Sequence, residues 1–176
     1  MNYRVVSARP GHLEGLPGIS LAATTIFPEE DIPEPLREEM MPLATFVLAQ
    51  KEGLLWVAVE EQSKEVVGFA LLMRVFGYIH MKELSVHPRH GHRGVGTSLV
   101  KTVITWAKEQ GIPAMTLTTF SHLPWNAPFY EKLGFRIIPG GELSEQLREL
   151  WLQEAKGLDK SKRVVMFLDL ENGEKY

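Results

Sequence analysis

The chain has 176 residues, 44% of them apolar and 23% charged, with a formal net charge of −3 and no cysteine. That length suits one domain, expected over residues 1–176, with a core of useful size. A slightly negative charge argues against nucleic acid or a membrane as partner, and the missing cysteines exclude disulfides, thiolate metal sites and a cysteine nucleophile. The opening Met1-Asn2-Tyr3-Arg4 lacks the apolar core of a signal peptide, and no apolar run approaches the roughly 20 residues of a membrane span, so a cytoplasmic setting is expected.

In chain order, Tyr3–Ala8 predicts a strand, broken by Pro10-Gly11. His12–Phe27 predicts a helix weakened at Pro17 and Gly18. Phe27–Pro35 holds three prolines and is neither helix nor central strand. Leu36–Gln50 carries a helical period interrupted near Pro42. Leu54–Val59 and Val66–Val75 flank a polar turn and predict a hairpin. Phe76-Gly77 then bends the chain into a strand over Tyr78–His87. From Val95 the pattern changes: Val95, Leu99, Val103 and Trp106 share one helical face, and Gly111 ends the helix. Ala114–Phe120 is a strand, Pro124–Leu133 a short helix, Phe135–Ile138 a strand. Leu143–Leu152 reads as an amphipathic helix and Val164–Leu170 as a closing strand. Strands and helices alternate as in an α/β protein with a mixed sheet.

Chemistry concentrates between the fourth strand pattern and the long helix. His87–Gly96 holds three histidines, two arginines and three glycines. A helix N-terminus offers unpaired N–H groups and a positive dipole end, and glycines let an anion reach them. Arg89 and Arg93 add charge where a diphosphate would need it. On glycine spacing alone, a tight turn with solvated arginines is the simpler reading. No Gly-Lys-Ser/Thr follows, and Gly-x-Gly-x-x-Gly is absent.

A larger pattern adds to this. "ELSVHPRHGHRGVGTSLV" resembles motif A of the GNAT acetyltransferase superfamily through Leu84, Val86, Pro88, Gly94, Gly96 and Leu99. "APFYEKLGFRII", Ala127–Ile138, resembles its motif B. One helix and one strand separate the two, as in that family. The resemblance covers Leu54–Ile138. It departs at Gly91, where the family carries Gln or Arg (Arg89 or Arg93 then supplies the charge), and at Asn126, which stands closer to Tyr130 than the family's Asn. The helix near 143–155 interrupts what is usually a simple hairpin; packing, an acceptor pocket and a homodimer contact are its three readings.

The resemblance implies a mixed, mostly antiparallel central sheet flanked by helices, with two splayed parallel strands forming a cleft for acetyl-CoA. It implies that Leu84, Ser85 and Val86 bond the pantetheine arm through their backbone. The loop and helix start, Gly91, His92, Arg93, Gly94, Val95, Gly96 and Thr97, would hold the pyrophosphate, and Asn126 joins the cofactor-binding set. The implied reaction is direct attack of an amine on the thioester, with a small-molecule amine or a peptide as acceptor.

That reaction sets its own demands. The amine must lose a proton before it attacks. The tetrahedral oxyanion needs an N–H donor, the role of the Val86 backbone. The departing thiolate needs a proton, which a phenol can give without being ionised at rest. Tyr130 stands at the matching motif position as the acid; its plainer reading is a core tyrosine beside Phe129 and Phe135. Glu83 is the candidate base, weighed evenly against a solvated polar residue. His80 and His122 read as hydrogen-bonded or solvated side chains. His87, His90 and His92 crowd the phosphate loop, and no metal is expected there. A non-catalytic acyl-CoA sensor of the same fold is the alternative function. The acidic residues Glu142, Glu145 and Glu149 of the last helix would suit a cationic acceptor, or simply solvent.

Overall fold

The structure, a computed structural model, describes residues 2–171. Met1 and residues 172–176 of the expected domain lie outside it.

Seven strands lie in the hydrogen-bonded order β1-β2-β3-β4-β5-β7-β6. They are β1 (Tyr3–Ser7), β2 (Leu55–Glu60), β3 (Val66–Val75), β4 (Tyr78–Val86), β5 (Ala114–Phe120), β6 (Arg136–Ile138) and β7 (Arg163–Asp169). β1–β2, β2–β3, β5–β7 and β6–β7 run antiparallel, and β4–β5 runs parallel. The α-helices are α1 (Leu16–Thr24), α2 (Leu43–Lys51), α3 (Val95–Glu109), α4 (Ala127–Glu131) and α5 (Glu145–Glu154). This is the mixed, mostly antiparallel α/β sheet expected. The chain forms two compact units, the first up to Met73 plus Lys82–Val103, the second Arg74–Met81 plus Ile104 onward.

In the first unit, the core centres on Phe46 of α2 against Phe69 of β3, edge to face at 5.1 Å and both fully buried. α1 is shorter than its sequence pattern. Pro17 lies in its first turn, where a missing N–H costs nothing, so the helix starts at Leu16 instead of being weakened in the middle. Likewise α2 starts directly after Pro42, with a single 3-10 turn upstream at Leu36–Glu38. The proline-rich segment between them is pinned by Arg37, whose Nη1 donates to Thr24 O at 3.1 Å and whose Nη2 donates to Phe27 O at 2.5 Å.

Gly68 of β3 fixes how β3 meets β4. A Cβ there would stand 2.8 Å from the Ser85 carbonyl oxygen and 3.2 Å from Val86 Cα. The backbone of β4 therefore lies directly against a residue without a side chain. His87 N donates to Val67 O at 2.8 Å just beyond this approach.

In the second unit, Phe76 and Gly77 both take positive φ, +50° and +83°, in the tight turn into β4. The β4–β5 ladder pairs Ile79 with Met115, His80 with Thr116 and Met81 with Leu117. β7 pairs along all of β5, from Ala114–Asp169 to Phe120–Arg163. Along α3, Val95, Leu99, Val100, Val103 and Ala107 are buried, whereas Trp106 is only half-buried. At 3.6 residues per turn the core face has drifted to Ala107.

Candidate active site

In the first unit, β4 ends in Lys82–Val86, and the Glu83 carboxylate accepts from Ser85 Oγ at 2.7 Å. Burial pushes the Glu83 carboxyl up from the ordinary range, and hydrogen bonds from Ser20 of α1 and from Ser85, with the charge of Lys82, partly oppose it. Ser85 is buried, while Leu84 and Val86 are half-buried.

After β4, Pro88–His90 forms one 3-10 turn, and the His87 ring nitrogen accepts from Arg89 N at 3.3 Å. His92 takes φ +57° and Gly94 φ +78°. Both residues thus lie in the left-handed region at the approach to α3. α3 begins at Val95, and its first bond to the loop runs from Ser98 N to Gly94 O at 2.9 Å. The N–H groups of Val95, Gly96 and Thr97 precede that bond and have no partner within the helix. A Cβ at Gly94 would meet nothing within 4 Å. His92, Arg93 and Gly94 are exposed. β1 braces the loop: Tyr3 Oη lies 3.2 Å from His90 Nδ1, and Arg93 Nη1 donates to Tyr3 Oη at 3.3 Å. The residues present fit a diphosphate.

In the second unit, Asn126 stands at the start of α4, and its backbone oxygen accepts from Phe129 N and Tyr130 N at 2.9 and 3.1 Å. Its side-chain Oδ1 is buried and has no partner among the described residues. Such an orphan acceptor suits an amide N–H from a ligand. Tyr130 is buried, with its ring edge-on to Phe129 and Phe135 at 5.0 and 5.8 Å. Burial pushes its phenol far up, and the charge of Arg163 pulls the other way. The hydroxyl is thus kept protonated at rest.

His80 is fully buried, with Nδ1 2.9 Å from Thr116 Oγ1 and Nε2 3.2 Å from both Glu154 oxygens. Both ring nitrogens are engaged, so this ring has no face left for an acceptor amine. His122 is exposed, its ring edge-on to Phe120 at 5.8 Å. Among the described residues no three His, Cys, Asp or Glu side chains cluster as metal ligands. Of the three acidic residues read as one helix face, Glu142 sits in a separate 3-10 turn before α5.

The sequence matches the Acetyltransferase (GNAT) family over residues 20–135. The chain belongs to that family. Solved structures share its fold. The PaiA N-acetyltransferase of Thermoplasma acidophilum, crystallised with coenzyme A, is 19% identical, with 96% of this chain and 99% of that one covered at a TM-score of 0.68. A GNAT family acetyltransferase from Staphylococcus aureus MU50 is 20% identical, with 97% and 100% covered at 0.69. The ribosomal-protein-S18-alanine N-acetyltransferase of Escherichia coli is 15% identical, with 99% and 100% covered at 0.65. Placed in the GNAT fold, the motif A residues Leu84–Val86 and Gly91–Thr97 fall with Glu83 in the first unit. Tyr130 and Asn126 fall in the second. Sequence reasoning missed Ser20, Gly68, Thr116, Thr118, Glu154 and Arg163. Thr116 and Thr118, at alternate positions of β5, were the available signal for the last four.

Proposed function

We propose that this GNAT protein is an acetyl-CoA-dependent N-acetyltransferase of the cytoplasm, moving acetyl to a primary amine on a small molecule or a peptide. The observation that carries the reading is the loop from His92 to Gly94, left-handed at both ends and opening directly onto the free N–H groups of α3. Acetyl-CoA supplies an activated acyl group; the chain supplies its binding and the movement of protons. Val95, Gly96 and Thr97, with the loop at Gly91–Gly94, would hold the diphosphate. Leu84, Ser85 and Val86 would hold the pantetheine arm through their backbone, and the orphan Oδ1 of Asn126 would accept one more hydrogen bond.

Glu83 is the proposed base. Its carboxyl is raised by burial, so it lies nearer to neutral and can take a proton from an ammonium acceptor more readily than a solvated carboxylate. The Val86 N–H is the proposed donor to the tetrahedral oxyanion. Tyr130 is the proposed acid, giving its proton to the sulfur that leaves. The N-acetyl chemistry in the names of the Thermoplasma and Escherichia coli proteins supports an amine acceptor.

The test is acetyl-CoA consumption across amines, amino acids, aminoglycosides and peptides. Turnover with one class confirms the enzyme and names the acceptor. Tight CoA binding with no turnover on any of them would leave the acyl-CoA sensor in its place.

A further inference from the structure

The backbone of Ser85 is part of the proposed pantetheine site, but its side chain has a different partner. The Ser85 hydroxyl donates its one proton to Glu83 Oε1 at 2.7 Å. That is short enough for a hydrogen bond to an ionised carboxylate, the stronger kind. Glu83 and Ser85 stand two apart on β4, so both side chains leave the same face of the strand. A second hydroxyl, that of Ser20 on α1, bonds the same carboxyl group. A carboxylate offers about four lone-pair positions, so two serines still leave room for an incoming proton.

The donor is itself held in place. Ser85 is buried. Its main chain lies against Gly68 of β3, where a Cβ would stand 2.8 Å from the Ser85 carbonyl oxygen. Two residues on, His87 N donates to Val67 O at 2.8 Å and ties the end of β4 to β3. With its backbone fixed in this way, Ser85 has only the staggered wells of χ1 in which to place its hydroxyl. The one it occupies points at Glu83.

Packing alone does not call for this pair. Two apolar side chains of similar shape would serve a buried strand about as well, and would spare the cost of withdrawing a carboxylate from water. A base does call for it. Burial disfavours the charged carboxylate, and a carboxyl already protonated at rest cannot take a proton from an ammonium ion. A hydrogen bond donated to the charged form counters burial without readmitting water.

We propose that Ser85 is a positioning residue for Glu83: its hydroxyl, fixed by the close approach of β4 to Gly68, holds the carboxylate in the one conformation that takes a proton from the acceptor ammonium. In the step concerned, an N–H bond of the ammonium breaks, its electron pair stays on nitrogen, and an O–H bond forms on Glu83. Ser85 keeps its own proton throughout. Glu83 passes the proton it has gained to solvent before the next cycle. The groups acting on the carboxylate are Lys82 and Ser85 from β4 and Ser20 from α1, and Lys82 is the charged one among them. This inference rests on the reading of Glu83 as the base.

The test reads the carboxyl directly. Glutamate isotopically labelled in its side-chain carboxyl is incorporated, and carbon NMR follows each carboxyl against pH. The Glu83 signal is the one missing from Glu83→Gln. Ser85→Ala should raise the Glu83 midpoint by about one pH unit or more, the worth of a hydrogen bond to a charged group. Ser85→Cys keeps the size but donates weakly, and should raise the midpoint part of the way. With an acceptor that turns over, the acid limb of kcat/KM in Ser85→Ala should move up by the same interval, about a tenfold loss at a given pH on that limb. The KM for acetyl-CoA should not change, because the pantetheine reading uses only the Ser85 backbone. An unmoved Glu83 midpoint in Ser85→Ala overturns the proposal whatever the rate does, and should that variant not fold, an unmoved midpoint in Ser85→Cys does the same. A midpoint that moves while the acid limb stays in place overturns Glu83 as the base, and with it the catalytic use of Ser85.

Discussion

Glu83 on β4 and Glu154 on α5 are both largely withdrawn from water, and their surroundings move them in opposite directions. Burial raises the Glu83 carboxyl; two serine hydroxyls and the charge of Lys82 do not overcome it. Burial acts upward on Glu154 too. There the hydrogen bond and electrostatic pull of His80, the Thr118 hydroxyl and the charge of Arg163 together outweigh it and hold the carboxyl below the ordinary range. Depth alone therefore says little about what a carboxylate does. One whose burial outweighs its hydroxyl neighbours and an adjacent lysine holds a proton more readily than a solvated carboxylate. One held by a guanidinium's charge, an imidazole and a hydroxyl keeps its charge more readily and serves as a strut.

The largest expected effect is on Tyr130, which burial also moves upward, a push that the charge of Arg163 opposes only in part. Tyr130→Phe should lower kcat by about 10²–10⁴-fold, the usual worth of a general acid, with fold and CoA affinity kept. Rapid-quench kinetics, which isolates the chemical step, checks it; wild-type kcat with chemistry limiting would make Tyr130 a packing residue. Next, Gly96→Glu in the first turn of α3 sets a third carboxylate where the diphosphate is proposed to sit. CoA affinity should fall at least about tenfold by titration calorimetry, roughly 1.4 kcal/mol or more. Unchanged binding in a folded variant would remove the loop from the site.

Glu154→Gln should cost about 1.5–3 kcal/mol in urea unfolding at neutral pH, since it weakens hydrogen bonds to a charged group. Because the folded carboxyl is depressed, its contribution is present above the ordinary carboxylate range and lost as pH falls through the folded value. The gap between wild type and variant should accordingly close on acidification. Glu83→Gln should show the reverse sign and the smallest size. A raised carboxyl in the folded state draws stability down as pH rises from the ordinary range through the folded value, so the Gln variant should gain on wild type over that window. It should also slow turnover most at low pH, where more of the amine is protonated. If the two Gln variants share one pH dependence of stability, the contrast between the carboxylates is broken.

The loop and the strut differ equally in how plainly the sequence announces them. The loop is local: its glycines, cations and helix start lie within eleven consecutive residues, 87–97, so one window of the chain shows them together. β3 and β5 were similarly legible, since a branched or alternating apolar run between turns defines its own ends. α1 was not. Pro17 reads as a defect until the helix is known to begin one residue before it. The strut was least legible of all. His80, Thr116, Thr118, Glu154 and Arg163 come from four elements; the pairing of β4 with β5 and β5 with β7 brings the other four to one face, and Glu154 reaches them from α5. No window of the chain contains that register, so from sequence α5 reads as packing ahead of an acceptor pocket or a dimer contact.

Gly68 carries a consequence for anyone who varies this protein. The carbonyl of Ser85 would lie 2.8 Å from any Cβ at that position, and a carbonyl in a strand has no rotamer by which to step aside. Alanine, the mildest change at most sites, is here already a collision with main chain, and larger residues add only to it. In a saturation library selected for activity, position 68 should keep glycine as strictly as an active-site residue does, although it would touch neither the acyl donor nor the acceptor.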